Sequence, residues 1–308
     1  MVYSKWQNTI NRDINSLIDH IMSYSEWLKP SIDPFDNNNL TFRITKAFPK
    51  NESIQLDNET VEYNFLEFQF ERVRNSEKSN SNREKRIKIE DYEIIIYSHK
   101  NKVKYIVNRG YAPLTLSVLR KLHGYEGKHE IKAETIGGIK SDLFIWLVYN
   151  LIENPSLPLG VNSNLYLKSL TGFMGKTEDK INTIQGTGKR ILNMLTTLLF
   201  LFENQNISKV NLEIKEDDHF YDITLGEESF IDVSITDYEG PYMFGIEEIV
   251  KSRILLRSFI ELIPNLIKIF SYEQTPPRAN WSEKKERAFF NEIGKTIKRN
   301  ITELLKKK

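Results

Sequence analysis

Two glycine–lysine turns offer chemistry at once. "TGFMGKTED" holds Gly175-Lys176-Thr177, and "TIQGTGKRILNMLTTLLFLF" holds Gly188-Lys189-Arg190 ahead of an apolar run. A nucleotide-binding loop needs G-x-x-x-x-G-K and then Ser or Thr, so that backbone N–H groups wrap the phosphates and the hydroxyl holds magnesium. In the first turn Leu170 stands where the leading glycine belongs. In the second that place is Thr183, and Arg190 cannot ligate magnesium. Neither meets the template. What survives is a glycine turn at a predicted helix start, where free N–H groups and the dipole favour an anion. Lys176, Lys180, Lys189 and Arg190 would add to that field and suit a nucleic-acid phosphate. The alternative is a tight turn with solvated cations.

Glu213 and Lys215 form a second constellation, E-x-K inside the alternating run "SKVNLEIKE". On a strand they share one face. Metal-dependent nucleases of the PD-(D/E)xK type use such a carboxylate and lysine, together with an aspartate on the preceding strand. Here the preceding element reads as a helix, and the nearest upstream aspartate is Asp179. Asp222 and Asp232, on the next two predicted strands, would complete a magnesium site only if register aligned them. The competing reading is a solvated sheet face with cross-strand ion pairs. Magnesium enters under the nuclease reading alone, and no other cofactor is expected.

Cations recur elsewhere. "HKNKVK" carries Lys100, Lys102 and Lys104, and on a strand Lys102, Lys104 and Ile106 share a face. The last predicted helix carries Lys284, Lys285, Arg287, Lys295, Lys298, Arg299 and Lys306 to Lys308. Against these nine stand Glu283, Glu286, Glu292 and Glu303, which leaves five positive charges. An apolar stripe through Trp281, Phe289, Phe290, Ile293, Ile297, Ile301 and Leu304 assigns one side of that helix to packing and the other to cations. Of the five histidines only His123 and His129 lie near each other, across a turn, and no third zinc ligand accompanies them. No Ser–His–Asp arrangement, G-x-S-x-G elbow or dinucleotide fingerprint is present.

The elements that must position these groups follow from periodicity. Residues 3 to 28 recur at three and four as a helix. "LTFRITKAF" and "ETVEYNFLEFQFERVR" alternate as strands, the second with a change of phase near Leu66 that means either a bulge or two buried faces. Residues 75 to 85, "NSEKSNSNREK", read as an exposed, mobile loop. A hairpin turning at Ser98 to Asn101, a helix from Pro113 to Gly124, a short strand and a helix capped by Ser141 or Asp142 follow. "PSLPLG" at 155 to 160 is the expected domain boundary. Beyond it come a strand, the glycine-led helix to about Asn204, a three-strand meander and two long helices, the first kinked or stopped near Pro264.

The chain of 308 residues has 43 Lys and Arg, 42 Asp and Glu and no cysteine, so any polyanion contact needs a local patch and thiolate chemistry is excluded. No apolar run is long enough to span a bilayer, and the opening residues lack an apolar signal core. The expectation is a cytoplasmic protein without membrane contact, and the Lys, Asn and Ile content suggests a bacterial or phage genome. The fold reading is α+β, with antiparallel sheets, segregated helices and two domains, 1–155 and 156–308. The leading functional expectation is a non-enzymatic binder of nucleic acid or another polyanion, in the setting of host–virus conflict. The alternatives are a protein–protein module or homodimer, and the magnesium-dependent nuclease.

Overall fold

The computed structural model describes residues 1–10, 12–127, 129–161, 163–176, 183–188, 192, 197–199, 206–275 and 280–306. The fold is α+β and its strand pairs are antiparallel. The chain divides into two compact units, Met1–Thr135 with Ile246–Leu256, and Ile136–Gly245 with Arg257–Lys308. Among the described residues no helix is long and apolar enough to cross a membrane.

The first unit contains β1 (Val2–Asn8), β2 (Phe42–Lys46), β3 (Glu52–Leu56), β4 (Glu59–Val73), β5 (Ile87–His99), β6 (Lys102–Val107) and β7 (Ile131–Ala133). They pair in the order β2-β4-β5-β6-β1, with β3 on β4 and β7 on β1. Helices α1 (Ile14–Met22), α2 (Tyr24–Trp27), α3 (Arg83–Arg86) and α4 (Pro113–His123) complete the unit's first stretch of chain. Leu17, Ile18 and Ile21 of α1 and Val118, Leu119 and Leu122 of α4 bury against Leu66, Phe68, Ile94, Ile96 and Tyr105 of the sheet.

The helix expected over 3 to 28 is therefore corrected. Its first third is a strand, because β6 and β7 pair with it on both sides, placing Trp6 opposite Tyr105 and Ala133. The helix begins only at Asp13, whose carboxylate accepts the Ser16 N–H at 2.9 Å as an N-cap. In β4 the register with β5 runs unbroken from Tyr63–Tyr97 to Val73–Ile87, so the phase change reports two buried faces and not a bulge. The β5–β6 turn holds Lys100 and Asn101 at φ 51° and 57°, the left-handed pair that suits the twist of a two-residue hairpin.

Residues 75 to 85 are largely exposed, and their lower end is tied down. Arg86 is buried, and its guanidinium donates to both oxygens of buried Asp33, with the shortest contact at 2.8 Å. It also donates to the Asn80 carbonyl and stacks 4.4 Å over the Phe35 ring. The hydrogen bonds from Arg86 hold the Asp33 carboxyl below the usual carboxylate range. A second buried polar network surrounds His123. Its Nε2 meets the Tyr105 hydroxyl at 2.8 Å, which accepts from Asn8 Nδ2 at 2.9 Å. Burial pulls the His123 imidazole down to about 3.

The second unit is built on α5 (Ser141–Glu153), β8 (Leu165–Lys176), β9 (Thr183–Thr187), β10 (Ile207–Glu216), β11 (His219–Gly226) and β12 (Phe230–Val233), ordered β12-β11-β10-β8-β9. Two expectations are corrected here. Thr183–Thr187, expected at the head of the glycine-led helix, is a strand paired with Gly172–Lys176. The backbone of α5 starts at Lys140 without a side-chain cap, while the Ser141 hydroxyl accepts the Ile207 N–H at 3.2 Å. Most of the helix expected to run to Asn204 lies outside the described residues, as do Lys180, Lys189 and Arg190.

Later come α6 (Glu247–Arg257), a π turn over Ser258–Leu262, α7 (Ile263–Gln274) and α8 (Glu283–Lys306). The chain is not stopped at Pro264. The wider π turn just before it lets the backbone stay helical around a residue that has no N–H to donate.

Two outcomes follow for the first unit. Arg86→Met should lower the melting temperature more than the double variant Arg86→Met/Asp33→Asn, because the single change strands a buried carboxylate; thermal unfolding by circular dichroism compares them. His123 has a folded value below that of the unfolded chain, so the unfolded state takes up the extra proton and stability is lost as pH falls from about 6.5 towards about 3. In urea unfolding across that window, His123→Gln should remove a slope of up to about 1.4 kcal/mol per pH unit.

Candidate functional site

β10 and β11 pair without interruption from Lys209–Gly226 to Glu216–His219. That register puts Glu213 opposite Asp222 and Lys215 opposite Phe220. On the next strand Asp232 lies opposite Thr224. Residues of one parity share a face, so Glu213, Lys215, Asp222 and Asp232 stand together on one side of the sheet. Val210, Leu212, Ile214, Tyr221, Ile223 and Leu225 occupy the other side and are buried. On its far edge β10 pairs with β8, with irregularities in register on both sides of the Glu213–Ser169 pair. The Ser169 hydroxyl donates to Glu213 at 2.6 Å.

A chain segment after β12 walls in this face. Phe220 N–H donates to the Glu239 carbonyl at 2.7 Å, and Glu239 N–H returns to the Phe220 carbonyl at 3.1 Å. The Tyr238 hydroxyl meets His219 Nδ1 at 2.6 Å, and Asp237 accepts from the Ser234 hydroxyl at 2.6 Å. The result is a groove of about 810 Å³ whose lining includes Lys168, Gly188, Glu213, Phe220, Asp222, Asp237, Tyr238, Glu239 and Met243. Gly188 of the second glycine turn thus comes to the same groove as the E-x-K carboxylate.

Among the described residues, four lining carboxylates, Glu213, Asp222, Asp237 and Glu239, share the groove with one lining ammonium, that of Lys168. Lys168 lies 5.3 Å over the Tyr166 ring and Lys215 lies 5.1 Å over Phe220. Half-buried Asp222 has its carboxyl raised above the usual range, first by burial and then by the charges of Asp237, Glu213 and Asp232. Beside the groove wall, Arg257 pairs with buried Glu216 at 3.1 Å. Burial pulls His219 down to about 4, so it is neutral at pH 7. Among the described residues no three His, Asp or Glu side chains are placed to hold a metal ion.

The expected cationic residues are placed very differently from one another. Lys100 sits on Asp57 at 2.5 Å. Lys104 is buried on Glu134 at 2.8 Å, a carboxylate it shares with Lys5. Lys102 is exposed. Lys295 pairs with Glu292 at 2.6 Å, while Lys298 and Arg299 are exposed on α8. The backbone of Lys176 ends β8. Asp237, Tyr238 and Glu239 are among the groove residues that sequence patterning did not nominate: "SFIDVSITD" reads as a strand ending on Asp237, whereas the strand stops at Val233 and "DYE" lies beyond it. Its one signal was two acids flanking an aromatic, at the end of a predicted strand.

A raised carboxyl contributes stability that is complete below its unfolded value and is lost as pH rises through the folded value. Ionised Asp222 thus opposes folding at pH 7. Asp222→Asn should raise the melting temperature at pH 7 and leave it nearly unchanged at pH 3; scanning calorimetry at the two pH values decides, and a lower melting temperature at pH 7 would contradict the electrostatics. A scan of the chain against protein-family models finds no match, and a search of curated protein sequences finds none either.

Proposed function

We propose that this protein is a binding module whose second-unit groove receives a cationic segment, a lysine or arginine side chain, of a partner protein. The observation that carries the reading is the concentration of Glu213, Asp222, Asp237 and Glu239 in one groove, with Asp222 raised by burial and by its acidic neighbours. Like charges held together in a partly desolvated place weaken the fold that holds them. A bound cation relieves that repulsion, so the cost belongs to the empty site. The walls suit the same ligand. Phe220 and Tyr238 are among the lining residues, and Phe220 already carries the Lys215 ammonium 5.1 Å over its ring; aromatic rings attract ammonium and guanidinium groups, and carboxylates accept their N–H donors. Met243 of the lining and its chain neighbour Phe244 are 53% and 83% exposed, apolar surface for residues next to the cation.

A second reading is the binding of nucleic acid along α8. It is favoured by exposed Lys284, Lys298 and Arg299 on a helix whose other side buries Phe289, Phe290, Ile293 and Ile297. The pairing of Lys100, Lys104 and Lys295 with carboxylates reduces the cations left for a phosphate backbone.

One experiment separates the two. A fluorescent Lys/Arg-rich peptide, a Glu-rich peptide of the same length and a DNA duplex are titrated against wild type, Glu213→Gln/Asp222→Asn and Lys298→Glu/Arg299→Glu. The groove reading expects the basic peptide to bind wild type and to lose about tenfold or more in the first variant. Binding of DNA instead, steeply weakened by salt and abolished only in the second variant, would replace it with the polyanion reading.

A further inference from the structure

A different cavity, within the first unit, carries an uncompensated cation. Lys121 lies in the last turn of α4, and its ammonium stands 4.0 Å from the centre of the Phe70 ring and 5.9 Å from that of Phe42. It borders a partly open cavity of about 210 Å³, lined also by exposed Ser31, Asn39 and Thr41 and by Phe42 and Glu71. Glu71 is the acid of that lining, and it is already engaged. Arg83 donates to both its oxygens, at 3.0 and 2.8 Å, and the Thr41 N–H donates to it at 2.9 Å. Among the described residues no carboxylate pairs with Lys121. Burial alone lowers its ammonium from the ordinary value.

An ammonium turned towards aromatic rings in a partly dry space keeps only part of what water would give it. The group that restores the balance is an anion small enough for the cavity and able to accept from hydroxyl and amide donors. Ser31, Asn39 and Thr41 supply such donors around the opening. A neutral ligand would leave the charge unmet, and a second cation would add repulsion.

We infer that the cavity beside Lys121 binds a small oxyanion, a phosphoryl or carboxylate group, with Lys121 as its counter-ion and the Ser31, Asn39 and Thr41 side chains as further donors. The site is separate in chemistry from the acidic groove, and its ligand has the opposite charge.

The test titrates inorganic phosphate and acetate separately into the full chain, with the lysine ammonium signals followed by NMR. The variants are Lys121→Met, Lys121→Arg and, for an exposed lysine elsewhere, Lys50→Met. In wild type one or both anions should shift the Lys121 signal saturably and raise its pKa. Lys121→Met should weaken that anion by about tenfold or more, while Lys121→Arg and Lys50→Met should stay within a few-fold of wild type. Saturation by phosphate assigns a phosphoryl ligand and saturation by acetate a carboxylate; both support the site. If Lys121→Met fails to fold, the wild-type pKa shift decides. A Lys121 signal that moves no more than that of Lys50 with either anion overturns the inference.

Discussion

Glu213 faces Asp222 because β10 and β11 pair without a bulge from Lys209–Gly226 to Glu216–His219. Every feature of the groove depends on that register. A slip of β10 by one residue would send Glu213 and Lys215 to the packed face, away from Asp222, and bring Leu212 and Ile214 into water. Burial of the apolar face opposes the slip. So does the end of the hairpin, where Asp217 turns at φ 52° and Glu216 is held by Arg257. The same pairing holds Phe220 where the Glu239 backbone can bridge to it, so the wall of the groove inherits the register of its floor.

Buried polar contacts give the first unit its connections. Its sheet and two helices bury ample apolar surface, but two long irregular segments, around residues 28 to 41 and 75 to 86, carry little of it. They are joined instead by Arg86 and Asp33, whose bidentate geometry has few alternatives. The Asn8–Tyr105–His123 chain does similar work beneath α4. Such contacts add specificity of arrangement more than net stability, since the desolvation of each partner offsets much of its attraction. The Lys121 cavity opens among these same segments, next to Glu71 and the 28–41 connection.

Charge is nearly balanced over the whole chain and poorly balanced locally. Many lysines lie on carboxylates, whereas among the described residues the four groove carboxylates have no ion-paired cation and Lys121 has no carboxylate paired with it, Glu71 of its cavity being taken by Arg83. Folding alone would favour neutralising both. Their persistence is the pattern expected where a ligand completes the charge balance, and it is why removing the Asp222 charge is expected to strengthen the fold and weaken binding.

Alternation and turn chemistry determined much by themselves. The β5–β6 hairpin, the meander of β10 to β12, α4 with its terminal Gly124 and the absence of a membrane-spanning run are all legible in residue types, because each depends on neighbours in sequence. The E-x-K pair on one strand face belongs with them. Tertiary contacts decided the rest. Trp6 fits a helical spacing with Ile10 and Ile14, yet it is drawn into a strand by partners about 100 residues away. Thr183 to Thr187 precede an apolar run, yet they pair with β8. The hairpin lysines look free in sequence, and Lys104 is neutralised by Glu134, thirty residues on. Asp237 and Glu239 join Glu213 only because backbone bonds to Phe220 return their loop to the sheet. Local propensity is worth tenths of a kcal/mol per residue, whereas pairing a strand or satisfying a buried charge is worth about 1 kcal/mol or more, so distant partners prevail wherever the two disagree.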